Sequence, residues 1–196
     1  MADLSTLGNL NSAEPLDLEM YPDAQEFKLP KAGRYSVRAP ESFPSTAFGA
    51  SQAGFLTAQV DPTIIGPTNE GFTLRFTKVS AKPWKDKNGL TISQLGRYLR
   101  AAGRKDVVSG DPQAQADAVE QTANSIYQID ADWEARCNPS KGGCGFKLEG
   151  MTKFPSDGNG GYTHFVPCPN GCKDPESGEP TTLRGNLVVK RFLASK

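Results

Sequence analysis

Cys137, Cys144, Cys168 and Cys172 are the only cysteines of the 196-residue chain, and all four fall in its last third. They make two pairs, C-x6-C (Cys-Asn-Pro-Ser-Lys-Gly-Gly-Cys) and C-x3-C (Cys-Pro-Asn-Gly-Cys), with 23 residues between them. Pro and Gly within each pair let the backbone turn back, so that two sulfurs aim at one centre. Four thiolates at tetrahedral corners suit a structural Zn2+ that is closed to substrate. Two disulfides would use the same four residues. His164, the single histidine, stands four positions before Cys168 and is a substitute ligand or a neighbour of the metal. The chain opens Met1-Ala2-Asp3-Leu4, without the basic start and apolar core of a secretory leader. A cytoplasmic setting with reduced thiols is therefore expected, and it favours metal over disulfides.

A second chemistry is written in aromatic residues set among bases. Single nucleic-acid strands are held by a basic groove and by aromatic faces on which bases stack. Trp84 sits in a basic loop with Lys82, Lys85 and Lys87, and is the first candidate stacker; the alternative is a tryptophan covering one end of the core. Phe43 and Phe48 lie in a long loop, as further stackers or as anchors of that loop. Arg34, Arg38, Arg75 and Lys78 are strand residues placed to meet phosphates. Lys147 and Lys153 are interleaved with Phe146, Phe154, Tyr162 and Phe165 in the cysteine segment, whose aromatics are divided between a small core around the metal and an exposed face. Arg97, Arg100, Arg104 and Lys105 read as a solvated helix face. Asp130, Asp132 and Glu134 form an acidic row that repels phosphate and is expected to point away from it. A lone histidine and four committed cysteines leave no nucleophile–base pair, and no phosphate-loop glycine pattern precedes a helix, so catalysis is not expected.

Charge is distributed unevenly although 22 acids balance 22 bases. Residues 1–30 hold six acids and one base, residues 31–110 five acids and twelve bases, residues 111–136 six acids and one base, and residues 137–196 five acids and eight bases. A basic block flanked by acidic ones is compatible with a nucleic-acid surface. No run of eighteen apolar residues exists, so no membrane partner is expected.

The elements that must position these residues follow from periodicity. Residues 1–28 are polar and acidic and read as a flexible arm, a solvated tail or a docking segment for replication or recombination proteins. Alternation predicts strands at 33–39, at 54–61 running loosely on to Ile65, and at 72–79, with Phe72, Leu74 and Phe76 on one face. Thr91-Ile-Ser-Gln94 fits a capping box opening a helix to about Ala102, with Gly103 as its stop. A second helix is expected over Gln113–Ala123. Ser125–Arg136 alternates cleanly as a strand, and Arg184–Leu193 is the last one. The reading is mainly β with one or two helices: a five-stranded OB-like barrel made of 29–136 plus 184–196, with a zinc ribbon (137–183) inserted between strands four and five.

The strand Phe72–Val79 leading to Lys82-Pro-Trp84, the helix Thr91–Ala102, the strand segment Ala131–Cys137 and the closing Arg184–Leu193 together resemble, at the level of architecture, phage- and plasmid-type single-stranded DNA-binding proteins of OB fold. They also resemble the replication protein A family, some of whose barrels carry an inserted zinc ribbon. The resemblance implies binding of single-stranded DNA without strong base preference, in replication, recombination or repair, and no catalysis. The competing expectation is a zinc-ribbon interaction module that recruits replication or transcription machinery.

Overall fold

The computed structural model describes residues 30–138, 142–150, 154 and 165–193. The expected arm at 1–28, Lys153, Tyr162 and His164 lie outside them. Strand β1 (Gly33–Arg38) keeps its alternation, with Val37 buried, Tyr35 half-buried, and Arg34 and Arg38 exposed. A 3-10 turn at Ser45–Ala47 leads to β2 (Phe48–Ala50), β3 (Leu56–Gln59) and β4 (Thr63–Ile65). The strand predicted from residue 54 onward is thus broken at Val60-Asp61-Pro62. Pro62 has no N–H to offer a ladder, and the Asp61 carboxylate is used elsewhere: its Oδ1 accepts the Thr77 N–H at 2.8 Å. The two halves join different sheets, β3 between β2 and β5 (Lys78–Ser80), and β4 beside β1.

The strand predicted over 72–79 is a strand only at β5. Thr77 Oγ1 donates to the Leu74 carbonyl at 2.7 Å, and Phe76 takes a left-handed φ of +62°. Leu74 stays fully buried while Phe76 is 72% exposed, so these two side chains do not share a face.

A short hairpin, β6 (Trp84–Lys85) with β7 (Thr91–Ile92), precedes helix α1 (Gln94–Ala101). Thr91 is therefore a strand residue and not the cap. Ser93 is the cap, its Oγ accepting the Gly96 N–H at 3.0 Å. Leu95, Tyr98 and Leu99 face inward. Gly103, at φ +92°, ends the helix as predicted; Gly103 N–H reaches the Arg100 carbonyl and Arg104 N–H the Leu99 carbonyl, the paired bonds of a Schellman stop. Helix α2 (Pro112–Glu120) starts on Asp111, whose carboxylate accepts the Ala114 N–H, with Pro112 in the first turn, where its missing N–H costs nothing.

Strand β8 (Ile126–Arg136) is the spine of the larger sheet. Tyr127, Ile129, Ala131, Trp133 and Ala135 are buried, as its alternation predicts. It pairs antiparallel with β1 along one edge and with β12 (Asn186–Leu193) along the other; β9 (Lys147–Glu149) pairs with its C-terminal end. β10 (Phe165–Pro167) and β11 (Thr182–Arg184) form a separate two-stranded piece. The cysteine segment thus connects the end of β8 to the start of β12, two directly paired strands, and among the described residues it pairs with their sheet on the way only through β9.

Numbering the predicted strands one to five, neighbours run five-four-one-two, and the broken second strand carries the order round the corner to three. The fold is mainly β with two helices. Closing a barrel requires β5 beside β12. No such pairing occurs among the described residues; α1 packs against both strands instead. An aromatic knot sits beneath it: the Tyr98 ring meets Tyr127 edge-on at 5.6 Å and Phe192 at 5.5 Å, and Tyr98 OH shares a 2.5 Å hydrogen bond with Thr122 Oγ1, which ties the end of α2 to α1. Burial pushes the Tyr98 phenol up to about 12. No helix among the described residues is long and apolar enough to cross a membrane.

Candidate metal centre and nucleic-acid groove

The four sulfurs converge. Those of Cys137, Cys144, Cys168 and Cys172 all lie within 4.8 Å of one another, and Cys144 Sγ is 3.8 Å from Cys168 Sγ. A metal–sulfur bond of about 2.3 Å in a tetrahedron sets sulfur separations of about 3.8 Å, whereas a disulfide brings them to about 2.05 Å. All four thiols are free, so the disulfide alternative is not realised. The donor set fits a tetrahedral metal ion, and four cysteines complete it without a histidine.

Local backbone bonds aim the thiols. Cys137, directly after β8, donates its N–H to the Phe146 carbonyl at 2.8 Å, and its carbonyl accepts the Gly145 N–H. In the second pair, Gly171 N–H returns to the Cys168 carbonyl and Thr181 N–H to the Cys172 carbonyl, and Cys168 N–H reaches Thr181 in turn. Gly143 explains part of the C-x6-C spacing: a Cβ there would stand 2.5 Å from Cys137 Sγ and from the Asn138 carbonyl oxygen. Cys137 and Cys168 are buried and Cys144 is exposed. The Phe146 backbone N–H and the Asn170 side chain, whose Nδ2 lies 3.1 Å from the sulfur, hold the Cys144 thiol down at about 6, whereas burial pushes Cys137 up.

Two members of the acidic row of β8, Asp130 and Glu134, are paired with neighbouring bases, while Asp132 accepts the Trp133 N–H. Asp130 faces Arg34 Nε at 3.0 Å from β1 and Arg191 Nη2 at 2.5 Å from β12. Glu134 Oε2 meets Lys147 Nζ at 3.1 Å and Lys190 Nζ at 2.8 Å, and both lysines also reach Glu149. A bulge in β12 between Val189 and Arg191 makes this possible, because it sets the consecutive Lys190 and Arg191 on the same exposed side. The Arg34 guanidinium, followed by Arg191, holds the Asp130 carboxyl below its usual range, and Lys147 and Lys190 hold Glu149 down at about 2.

These pairs redistribute the predicted nucleic-acid residues. Arg34 and Lys147 are engaged with carboxylates. Phe43 and Phe48 are half-buried, 6.4 Å apart, and packed against the core as loop anchors. Lys85 Nζ donates to Thr91 Oγ1 at 2.7 Å within the β6–β7 hairpin. Arg38, Lys78, Lys82 and Lys87 are exposed on separate elements. Trp84 is 38% exposed, and the Arg97 guanidinium lies 5.3 Å from its ring centre.

Arg75 alone of the predicted set lines an open groove of about 500 Å³. Its companions are Phe72 and Phe76 from the turn before β5, Trp133 from β8, Arg184 from the end of β11, and Asn186 and Leu187 from the start of β12. Arg184 and Asn186 also border a second cavity, of about 490 Å³, shared with Arg136 and the Asp174–Thr182 part of the cysteine segment. The two cavities therefore adjoin, and together they run from Phe76 to the cysteine segment. Sequence reasoning missed Phe76 and Arg184. The alternation at 72–79 places Phe76 inward, and the Asp61–Pro62 break is the one sequence signal that the neighbouring strands are short. Comparison with protein-family models, curated proteins and solved structures gives no match.

Proposed function

We propose that this protein binds single-stranded nucleic acid, DNA in the first instance, along the groove between the Phe76 turn and the cysteine segment. We propose Zn2+ as the metal of the four-thiolate centre, since a closed all-sulfur set with tetrahedral spacing suits that ion. The observation that carries the reading is Phe76. A large apolar ring is held outward at a left-handed φ, beside Arg75 and at the mouth of an open groove, where core packing gives it no purpose. Aromatic faces flanked by arginines are the means by which single strands are gripped without base preference.

The acidic row of β8 supports the reading in a negative sense. It lies on the opposite face of that strand from Trp133, which lines the groove, and two of its three carboxylates, Asp130 and Glu134, are matched by neighbouring bases. The metal centre then fixes the far wall of the groove, because Cys137 and Arg136 are consecutive and Leu183, fully buried, anchors the segment's return beside Arg184.

A fluorescence-anisotropy titration with labelled oligo-dT at two salt concentrations tests the proposal. Binding that weakens steeply with salt is expected, through release of counterions from the strand. Absence of binding at low salt would reject it in favour of a zinc-ribbon module that recruits proteins.

A further inference from the structure

Arg97 and Arg100 of α1 converge with Arg191 and Phe192 of β12 on a cavity of about 220 Å³ that no carboxylate lines. Neither helix arginine has an ion-pair partner among the described residues. Arg97 instead lies over the half-exposed Trp84 ring. Arg191 shares Asp130 with Arg34, so two cations face one anion there and an excess of positive charge remains. Asn186 and Leu187 line the large groove, and Arg191 follows four residues after Leu187 on the same strand. Because of the bulge, Leu187 to Arg191 spans only the three steps from Trp133 to Asp130 on β8, so at about 3.4 Å per residue the arginine cavity stands about 10 Å along the sheet edge from that groove.

We propose that Arg97, Arg100 and Arg191, with Trp84 beside them, form a second phosphodiester-binding station on the path of one nucleic-acid strand. The inference rests on the function proposed for the groove and extends it: a strand that fills only the groove ends short of the station, and a longer one reaches it. The chemistry is that of a guanidinium cluster meeting non-bridging phosphate oxygens. A base has room on the exposed part of the Trp84 indole, whose other contact is Arg97.

The test compares oligo-dT of about 6 and about 16 nucleotides, spanning the site sizes usual for such folds, in the wild type and in R97Q/R100Q. The expected result is that the wild type binds the longer strand more tightly, that R97Q/R100Q removes most of this gain while binding the short strand normally, and that the slope of log K against log salt for the long strand falls by about 1.4, at about 0.7 per neutralised phosphate. The charge-preserving R97K/R100K should keep that slope. An unchanged length gain in R97Q/R100Q overturns the inference, as does an equal loss for both lengths or the same loss in R97K/R100K. A wild type that binds neither strand instead defeats the groove proposal itself, which separates the two failures.

Discussion

Asp61 Oδ1 accepts the Thr77 backbone N–H at 2.8 Å, and this bond holds the turn that carries Phe76 outward. The carboxylate is itself steadied by Gln59 Nε2 at 2.6 Å. Replacing Asp61 by Ala removes the acceptor and leaves the partly buried Thr77 N–H without it. A loss of about 1.5–3 kcal/mol in urea unfolding is expected, the range for a hydrogen bond to a charged group. Oligonucleotide affinity should fall as well, because the ring is no longer aimed at the groove. Asp61→Asn keeps a carbonyl acceptor and should lose less of both.

Phe76 itself separates binding from folding. Its ring is 72% exposed, so Phe76→Ala removes little buried surface. One base–aromatic stack is worth about 1–3 kcal/mol, so Kd for oligo-dT should rise about 5- to 150-fold. Phe76→Gly should weaken binding to a similar degree while holding or raising the melting temperature, because glycine adopts φ +62° without strain. A glycine variant that binds normally would remove the ring from the site.

The proposed metal centre yields a prediction about folding units. One Zn2+ per chain is expected by native mass spectrometry. Cys168→Ser should abolish it and unfold the cysteine segment, with the β1–β8–β12 sheet largely preserved in the far-UV spectrum, because those strands pair without help from the segment. Gly143→Ala is the finer probe. Its methyl would collide with Cys137 Sγ and the Asn138 carbonyl, so metal affinity should drop although all four thiols remain. Collapse of the whole far-UV spectrum in Cys168→Ser would make metal and sheet one cooperative unit.

What was legible in the sequence divides by the range of the forces involved. The cysteine cluster was readable because ligand type and spacing nearly determine the chemistry. The inward face of β8 was readable because strict alternation over eleven residues admits one register. The Gly103 stop was readable because caps act locally; the Asp111 cap is equally local, but the helix was placed from Gln113 and the cap was passed over. The Phe72–Thr77 turn was not, since its cause is a carboxylate sixteen residues away in sequence. Thr91 was misassigned as a cap because Ser93, two residues on, offers the same hydroxyl and the β6–β7 hairpin claims Thr91 first. The engagement of Arg34 and Lys147 with β8 carboxylates depends on which strands adjoin, and periodicity within a single strand carries no such information.

Asp130 links the outer-face charges to the proposed second station. Its carboxyl is held below the usual value by Arg34 and then Arg191, so its ion pairs contribute stability above the ordinary carboxylate pKa of 3.8 and lose it as pH falls through the depressed value. The wild type should therefore exceed Asp130→Asn in urea unfolding at pH 6, and the difference should shrink only below about pH 3.8. The same substitution releases Arg34 and Arg191 from their shared anion. At neutral pH it should lower stability and at the same time tighten binding of the longer oligonucleotide, leaving the short one unaffected. A stability loss without that gain in affinity would show that Arg191 serves the sheet alone, since the charge it regains would then meet no phosphate.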